Sequence, residues 1–158
     1  MQSFTSIFIG NGEYRCAYGL EQYKELERLC NAGVGEIYAR TSEGRHGFVE
    51  GEIYPELAKY RVLELREVVR QGLIGGGAAV IDGAEIKIAD FRVDEILSTY
   101  FFGLSDQRVG LTKLWAAAYI ILHDLVHGYS PPKKAEPVAS PATPKKGSTT
   151  RRRSRTAP

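Results

Sequence analysis

Residues 72–77 read Gly72-Leu73-Ile74-Gly75-Gly76-Gly77, and the fold turns on how this glycine-rich run joins the segments on either side of it. The residues before it, Leu57, Tyr60, Leu63, Leu65, Val68 and Val69, are apolar at helical spacing. They predict a helix that reaches about Gln71, with Pro55 in its first turn. Gly72 suits a left-handed helix cap. The three successive glycines let the backbone turn or approach another segment closely. A phosphate-binding loop would need a strand before it, a helix after it and a Lys or Ser/Thr at its end. Here a helix precedes the run, Ala78-Ala79-Val80-Ile81 follows without a lysine, and the GxGxxG spacing is absent. The expectation is a helix-ending junction in which Gly72, Gly75, Gly76 and Gly77 set the angle between two halves of the molecule.

Downstream of Asp82-Gly83 the pattern reads as helix again. Phe91, Ile96, Leu97 and Tyr100 form an apolar stripe that Gly103 ends. A last helix is expected over 109–127, where Leu111, Leu114, Trp115, Ala118, Ile121, Leu122 and Leu125 make a broad apolar face, stopped by Gly128 and Pro131-Pro132. Upstream, Phe4, Ile7 and Ile9 lie in a strand-like stretch, Asn11-Gly12 suits a type I′ turn, and residues 13–18 alternate polar and apolar. Together they predict an N-terminal hairpin. Leu20, Tyr23, Leu26, Leu29 and Cys30 switch to helical spacing, and Asn31 and Gly33 stop that helix. A shorter helix is expected over 35–40 and an exposed loop over 41–51, TSEGRHGFVEG. The fold class that follows is mainly α with an N-terminal β-hairpin, a compact bundle of four to five helices over residues 1–129.

From Ser130 the composition changes. Five prolines precede the arginine run and no aromatic residue remains, so residues 130–158 are expected to form a disordered Pro-rich basic tail. The tail carries eight basic residues against the single acid Glu136, a net of +7, and the chain's net +2 leaves −5 for residues 1–132. An acidic body with a basic appendage differs from a basic binding domain. Arg151, Arg152, Arg153 and Arg155 are the tail's electrostatic contact candidates, for nucleic acid or another acidic partner. No apolar run approaches the roughly 18–20 residues that span a bilayer, and the N-terminus lacks the basic start and long apolar stretch of a signal peptide. A cytoplasmic protein is expected, with Cys16 and Cys30 reduced.

Catalytic, metal and cofactor sites are not expected. His123-Asp124-Leu125-Val126-His127 places two histidines four apart on one helix face, as in the HExxH zinc motif. Asp replaces the glutamate that would act as base, and no third ligand is visible. The run Glu21, Lys24, Glu25, Glu27 and Arg28 reads as a solvated face with local ion pairs. Phe91, Tyr100, Phe101, Phe102 and Trp115 read as core. A helix cannot bury all of Tyr100-Phe101-Phe102 against one neighbour, which leaves one for a protein contact.

Taken in order, these pieces resemble the small tail assembly proteins of gene transfer agents and related tailed phages, described as tail assembly chaperones or tail tube-like proteins. The resemblance runs over about residues 4–128. It rests on the hairpin, Gly19-Leu20 entering a helix with Leu26-Glu27, Gly33-Val34-Gly35, the GLIGGG junction, and the alanine-rich helix ending Leu125-Val126-His127-Gly128. The 41–56 connection and the basic tail depart from the family pattern. The resemblance implies a non-catalytic chaperone in the bacterial host cytoplasm. Its client would be the apolar, helical tape measure protein, with the tail tube protein or a second copy of the chain as further partners. Exposed members of Leu73, Ile74, Tyr100, Phe101 and Phe102 are the expected partner contacts. A structural tail or connector subunit, and a nucleic-acid-binding module acting through the tail, are the alternatives.

Overall fold

The computed structural model describes residues 3–44, 48–49, 52–53 and 59–129. Pro55, Leu57, His46 and the basic tail with Arg151, Arg152, Arg153 and Arg155 lie outside the described residues. In chain order the elements are β1 (Thr5–Ile9), β2 (Gly12–Cys16), α1 (Leu20–Cys30), α2 (Val34–Gly44), β3 (Phe48–Val49), β4 (Glu52–Ile53), α3 (Val62–Gly76), β5 (Ala78–Ile81), β6 (Ala84–Lys87), α4 (Asp90–Leu97) and α5 (Leu111–His127). A π-helical turn, Ser98–Phe102, extends α4.

The class is therefore mixed α/β and not mainly α. Five helices pack with an antiparallel sheet of order β1-β2-β5-β6, and β3 and β4 form a separate two-stranded pair. The helix expected after Asp82-Gly83 is present with its end at Gly103, but it starts only at Asp90, and the hairpin β5–β6 occupies the stretch before it. Asp82 and Gly83 take φ of 51° and 78°, the paired positive angles of a type I′ hairpin turn. The N-terminal hairpin is present, but its turn is Gly10-Asn11: Ile9 pairs with Gly12, and Gly10 carries the positive φ of 39°. A positive angle at the first central residue alone matches a type II′ turn, which asks for glycine there.

Helix α1 follows its apolar spacing and ends where Asn31 takes a left-handed φ of 48°. Its polar face carries the expected local pairs, Lys24 Nζ–Glu21 Oε1 at 2.9 Å and Arg28 Nη2–Glu25 Oε1 at 2.7 Å. Helix α2 starts before residue 35 and runs past residue 40 to Gly44, so the start of the expected loop is helical. Thr41 is buried there: its hydroxyl donates to Ile37 O, and its own carbonyl accepts the Trp115 indole N–H at 2.8 Å. Among the described residues no helix is long and apolar enough to cross a membrane.

Helix α3 is the central element. Leu65, Val68, Val69 and Leu73 are fully or almost fully buried, and α3 touches α1, α4, α5 and β2. The glycine run is its last turn and a half. Gly72 does not cap the helix; Gly77 does, with φ of 60° and its N–H donating to Leu73 O at 2.9 Å. The preceding glycines lie flat against β2 and the residue after it. A Cβ at Gly76 would sit 1.9 Å from Arg15 O, one at Gly75 would sit 2.0 Å from Ala17 O, and one at Gly72 would touch the Cys16 side chain at 3.1 Å. The Ala17 N–H donates to Gly72 O at 3.0 Å across the same seam. The junction glycines thus press a helix onto a strand; they do not set an angle between two halves.

This seam gives a stability prediction. Gly76→Ala must push backbone away from backbone and is expected to cost at least about 3 kcal/mol in urea unfolding. Gly83→Ala has open space around its Cβ and bears only the left-handed penalty of about 1–2 kcal/mol. Equal costs for the two variants would mean that the close approach is absent.

Candidate interaction groove

Among the described side chains, a groove between β1 and α5 has chemistry that suits a protein contact. It is lined by Ser6, Ile7, Phe8, Ile9 and Gly10 of β1 and its turn, by Phe101 and Val109, and by Lys113, Ala116, Ala117 and Ile120 of α5, with a volume of about 290 Å³. Thr5, Ile7 and Ile9 turn into the core, while Phe8 is 83% exposed and Ile120 46% exposed. Thr5 Oγ1 donates to Asp124 Oδ2 at 2.6 Å and ties the far end of β1 to α5. Arg15 Cζ of β2 lies 4.8 Å from the ring centre of Phe4, the residue before β1. Lys113 is exposed and has no ion-pair partner among the described residues.

The expected partner contacts mostly lie elsewhere. Leu73 (2% exposed), Phe101 (3%) and Tyr100 (9%) belong to the core, and Ile74 and Phe102 are half-buried. Tyr100 and Phe101 are both buried because the chain from Ser98 to Phe102 is a π-helical turn, closed by Gly103 N–H donating to Ser98 O. The wider turn rotates successive side chains less than an α-helix does and brings neighbouring rings to one side. Phe91, expected in the core, is 71% exposed instead, with Arg92 Cζ 5.8 Å from its ring centre. The signal missed in the sequence was Phe8: within Thr5–Ile9 it is the large apolar residue on the face that alternation assigns to solvent.

His123 and His127 do share a face of α5, with ring centres 4.6 Å apart. They continue a column of rings in which Trp115 stacks on Tyr119 at 5.3 Å and Tyr38 of α2 stacks on Tyr119 at 6.3 Å. Tyr38 Oη and His127 Nε2 lie 3.1 Å apart. Among the described residues no group of three or more His, Cys, Asp or Glu side chains is placed to hold a metal. A second depression, between β6 and α4, is lined in part by Lys87, Arg92 and Glu95, but Arg92 and Glu95 pair with each other at 3.3 Å.

Buried polar chemistry elsewhere supports the fold. Glu64 of α3 is almost fully buried and is held by the Arg40 guanidinium, whose Nε donates at 3.2 Å to Oε2 while Nη2 bonds Oε1. Arg40 also reaches Glu36 Oε1 at 2.6 Å. The Tyr18 hydroxyl donates to Val68 O at 2.6 Å, and burial pushes its ionisation well above the ordinary tyrosine range. Burial likewise raises both thiols: Cys16 strongly, and Cys30 to about 11, with the charges of Glu64 and Glu67 adding to the effect.

No family model matches the chain, and no curated protein or solved structure matches it either.

The cysteines provide a check on this packing. Thiolate is the reactive form, and raising Cys30 from 9 to about 11 lowers its thiolate fraction at pH 8 roughly 100-fold. Cys30 should therefore alkylate about 100-fold more slowly than an exposed model thiol, with a rate that climbs until about pH 11, and Cys16 should stay unmodified until the protein unfolds. Fast labelling of either thiol at pH 8, read by intact mass, would contradict their placement.

Proposed function

We propose that the chain is a non-catalytic tail assembly chaperone, working in a bacterial cytoplasm, that holds an apolar segment of a tape measure protein until the tail tube is built. The observation that supports this most is the groove between β1 and α5, where Phe8 and Ile120 stay exposed beside Ala116, Val109 and the buried Ile7 and Ile9. Exposed apolar area rimmed by polar residues is costly in an isolated chain and is repaid when a client covers it. The acidic balance of residues 1–132 supports the same reading, because like-charged carriers spaced along a long client repel one another and keep the coated complex dispersed. The resemblance carried by the hairpin, the GLIGGG run and the alanine-rich last helix supplies the client class.

On this reading the contact residues are Phe8, Ile120 and Lys113, while the half-buried Ile74 and Phe102 lie outside the groove. Leu73, Tyr100 and Phe101 serve it only by holding the core. The test is co-expression with the tape-measure-like protein encoded nearby, followed by pull-down and a solubility assay. The wild-type chain is expected to keep the client soluble and to co-purify with it. Phe8→Glu with Ile120→Glu is expected to leave the melting temperature within a few degrees and to lower recovered client at least about tenfold, since burying an unpaired carboxylate at a contact costs more than 1.4 kcal/mol. A client left insoluble by the wild-type chain would sink the chaperone reading. Full rescue by the double variant would move the contact away from the groove.

A further inference from the structure

The groove runs along the edge of a strand, and among the described residues that edge is open. Five consecutive residues, Ser6 to Gly10, line it, which happens beside an edge and not over one face, where only alternate residues appear. The register fixes which backbone groups are free. Ile9 and Gly12 flank a two-residue turn, so they form the first hydrogen-bonded pair of the hairpin. Thr5, Ile7 and Ile9 therefore direct their N–H and C=O groups to β2, and Ser6 and Phe8 direct theirs outward. Among the described residues no strand pairs with β1 on that side.

The two edges of the sheet differ in how they are guarded. Folded proteins blunt an exposed edge with charged residues. Strand β6 carries Glu85 and Lys87, and these are the residues whose amide groups point away from β5. Strand β1, Thr-Ser-Ile-Phe-Ile, carries no charge at all. The only charged group lining the groove is Lys113, which has no ion-pair partner among the described residues. Asp124 lies beside Thr5. Lys113 is eleven residues nearer the start of α5, about 16 Å along the helix, close to the roughly 17 Å that separate Thr5 from Gly10 along the strand. Lys113 thus stands at the Gly10 end of the open edge.

We infer that the groove takes an extended segment of another protein as a fifth strand beside β1, apolar at alternate positions and bearing a carboxylate near Lys113. The backbone of Ser6 and Phe8 would supply the pairing, and the pocket made by Ile7, Ile9, Phe101, Ala117 and Ile120 would take every second side chain, the mode by which strand addition joins affinity to selectivity. A second copy of this chain fits less well. Its own α5 flanks its own β1, so joining two β1 edges would bring two α5 helices into a space one strand wide. The inference rests on the groove being the client-binding surface, and it adds that the client segment held there is extended, not helical as the resemblance alone implies for the client as a whole.

The probe is a synthetic acetylated hexapeptide alternating valine and threonine, with a glutamate at its N-terminal end, where an antiparallel guest lies beside Lys113. It is titrated into the full chain and followed by amide NMR and hydrogen exchange. In the free protein the Ser6 and Phe8 amides should exchange at least about 100-fold faster than those of Ile7 and Ile9. Saturating peptide should slow Ser6 and Phe8 at least tenfold. N-methylation of the guest amides that face β1 should abolish the protection, and Lys113→Glu should weaken binding at least fivefold. Equal binding by the methylated peptide, or no protection of Ser6 and Phe8 at millimolar peptide, would overturn strand addition. Either result would leave the chaperone reading to the co-expression assay, where the wild-type chain and the Phe8→Glu, Ile120→Glu variant judge it separately.

Discussion

Everything in this fold is referenced to one contact, the last turns of α3 lying against β2 with almost no side chain between them. Side chains normally separate a helix from the sheet it packs on, as they hold stacked sheets about 10 Å apart. Here Gly76 and Gly75 approach the carbonyls of Arg15 and Ala17 so closely that no Cβ fits, and Gly72 accepts a hydrogen bond from Ala17. Gly72 also meets Ile121 of α5, so the third layer closes on the same point. Positive φ at Gly77 then reverses the chain into β5, which pairs with the strand that α3 has just crossed. One short run therefore ends a helix, docks it and starts the strand that joins the two hairpins into one sheet.

The position of the groove follows from that contact. With α3 drawn onto β2, α5 packs beside α3 at a helix–helix distance of 8–10 Å, whereas β1 lies only about 4.8 Å from β2. Helix α5 packs against both α3 and β1, and the step between the two spacings is about the width of one strand. The bond from Thr5 to Asp124 closes this step at one end. At the other end, the loop bringing Val109 back to donate to Tyr100 O at 2.8 Å shapes the wall. Small residues on the facing side of α5, Ala116 and Ala117, keep the space open where a leucine would fill it.

Some of this was legible in the sequence. Helix α1 was readable to the residue because its apolar spacing is regular and a left-handed Asn31 follows it. The end of α3 was not: Gly72, Gly75, Gly76 and Gly77 can each take a positive φ, and only contact with β2, remote in sequence, decides that Gly77 does so. The β5–β6 hairpin hid for a different reason. β6 reads Ala84-Glu85-Ile86-Lys87, apolar and polar in alternation, and Asp82-Gly83 is the dipeptide class that identified the first hairpin, but the strand is only four residues long and the helical stripe that begins at Phe91 drew the whole stretch into one helix. For the site, apolarity alone placed Leu73, Tyr100 and Phe101 among the contacts, yet large apolar residues in helices that cross a core belong to it unless their phase says otherwise. Phe8 carried the phase argument, an aromatic ring on the polar side of an alternating strand.

The glycine run consequently bears on binding without touching a partner. Residues that line the groove come from β1 and its turn, the π-helical turn, Val109 and α5, and α3 packs on both β2 and α5 beneath them. A side chain at Gly76 would lift α3, carry α5 with it and widen the step beside β1 even where the protein still folded. The sequence constraint on GLIGGG and the apolar character of Phe8 and Ile120 are therefore two parts of one requirement: the first fixes the width of the slot, and the second makes its filling favourable.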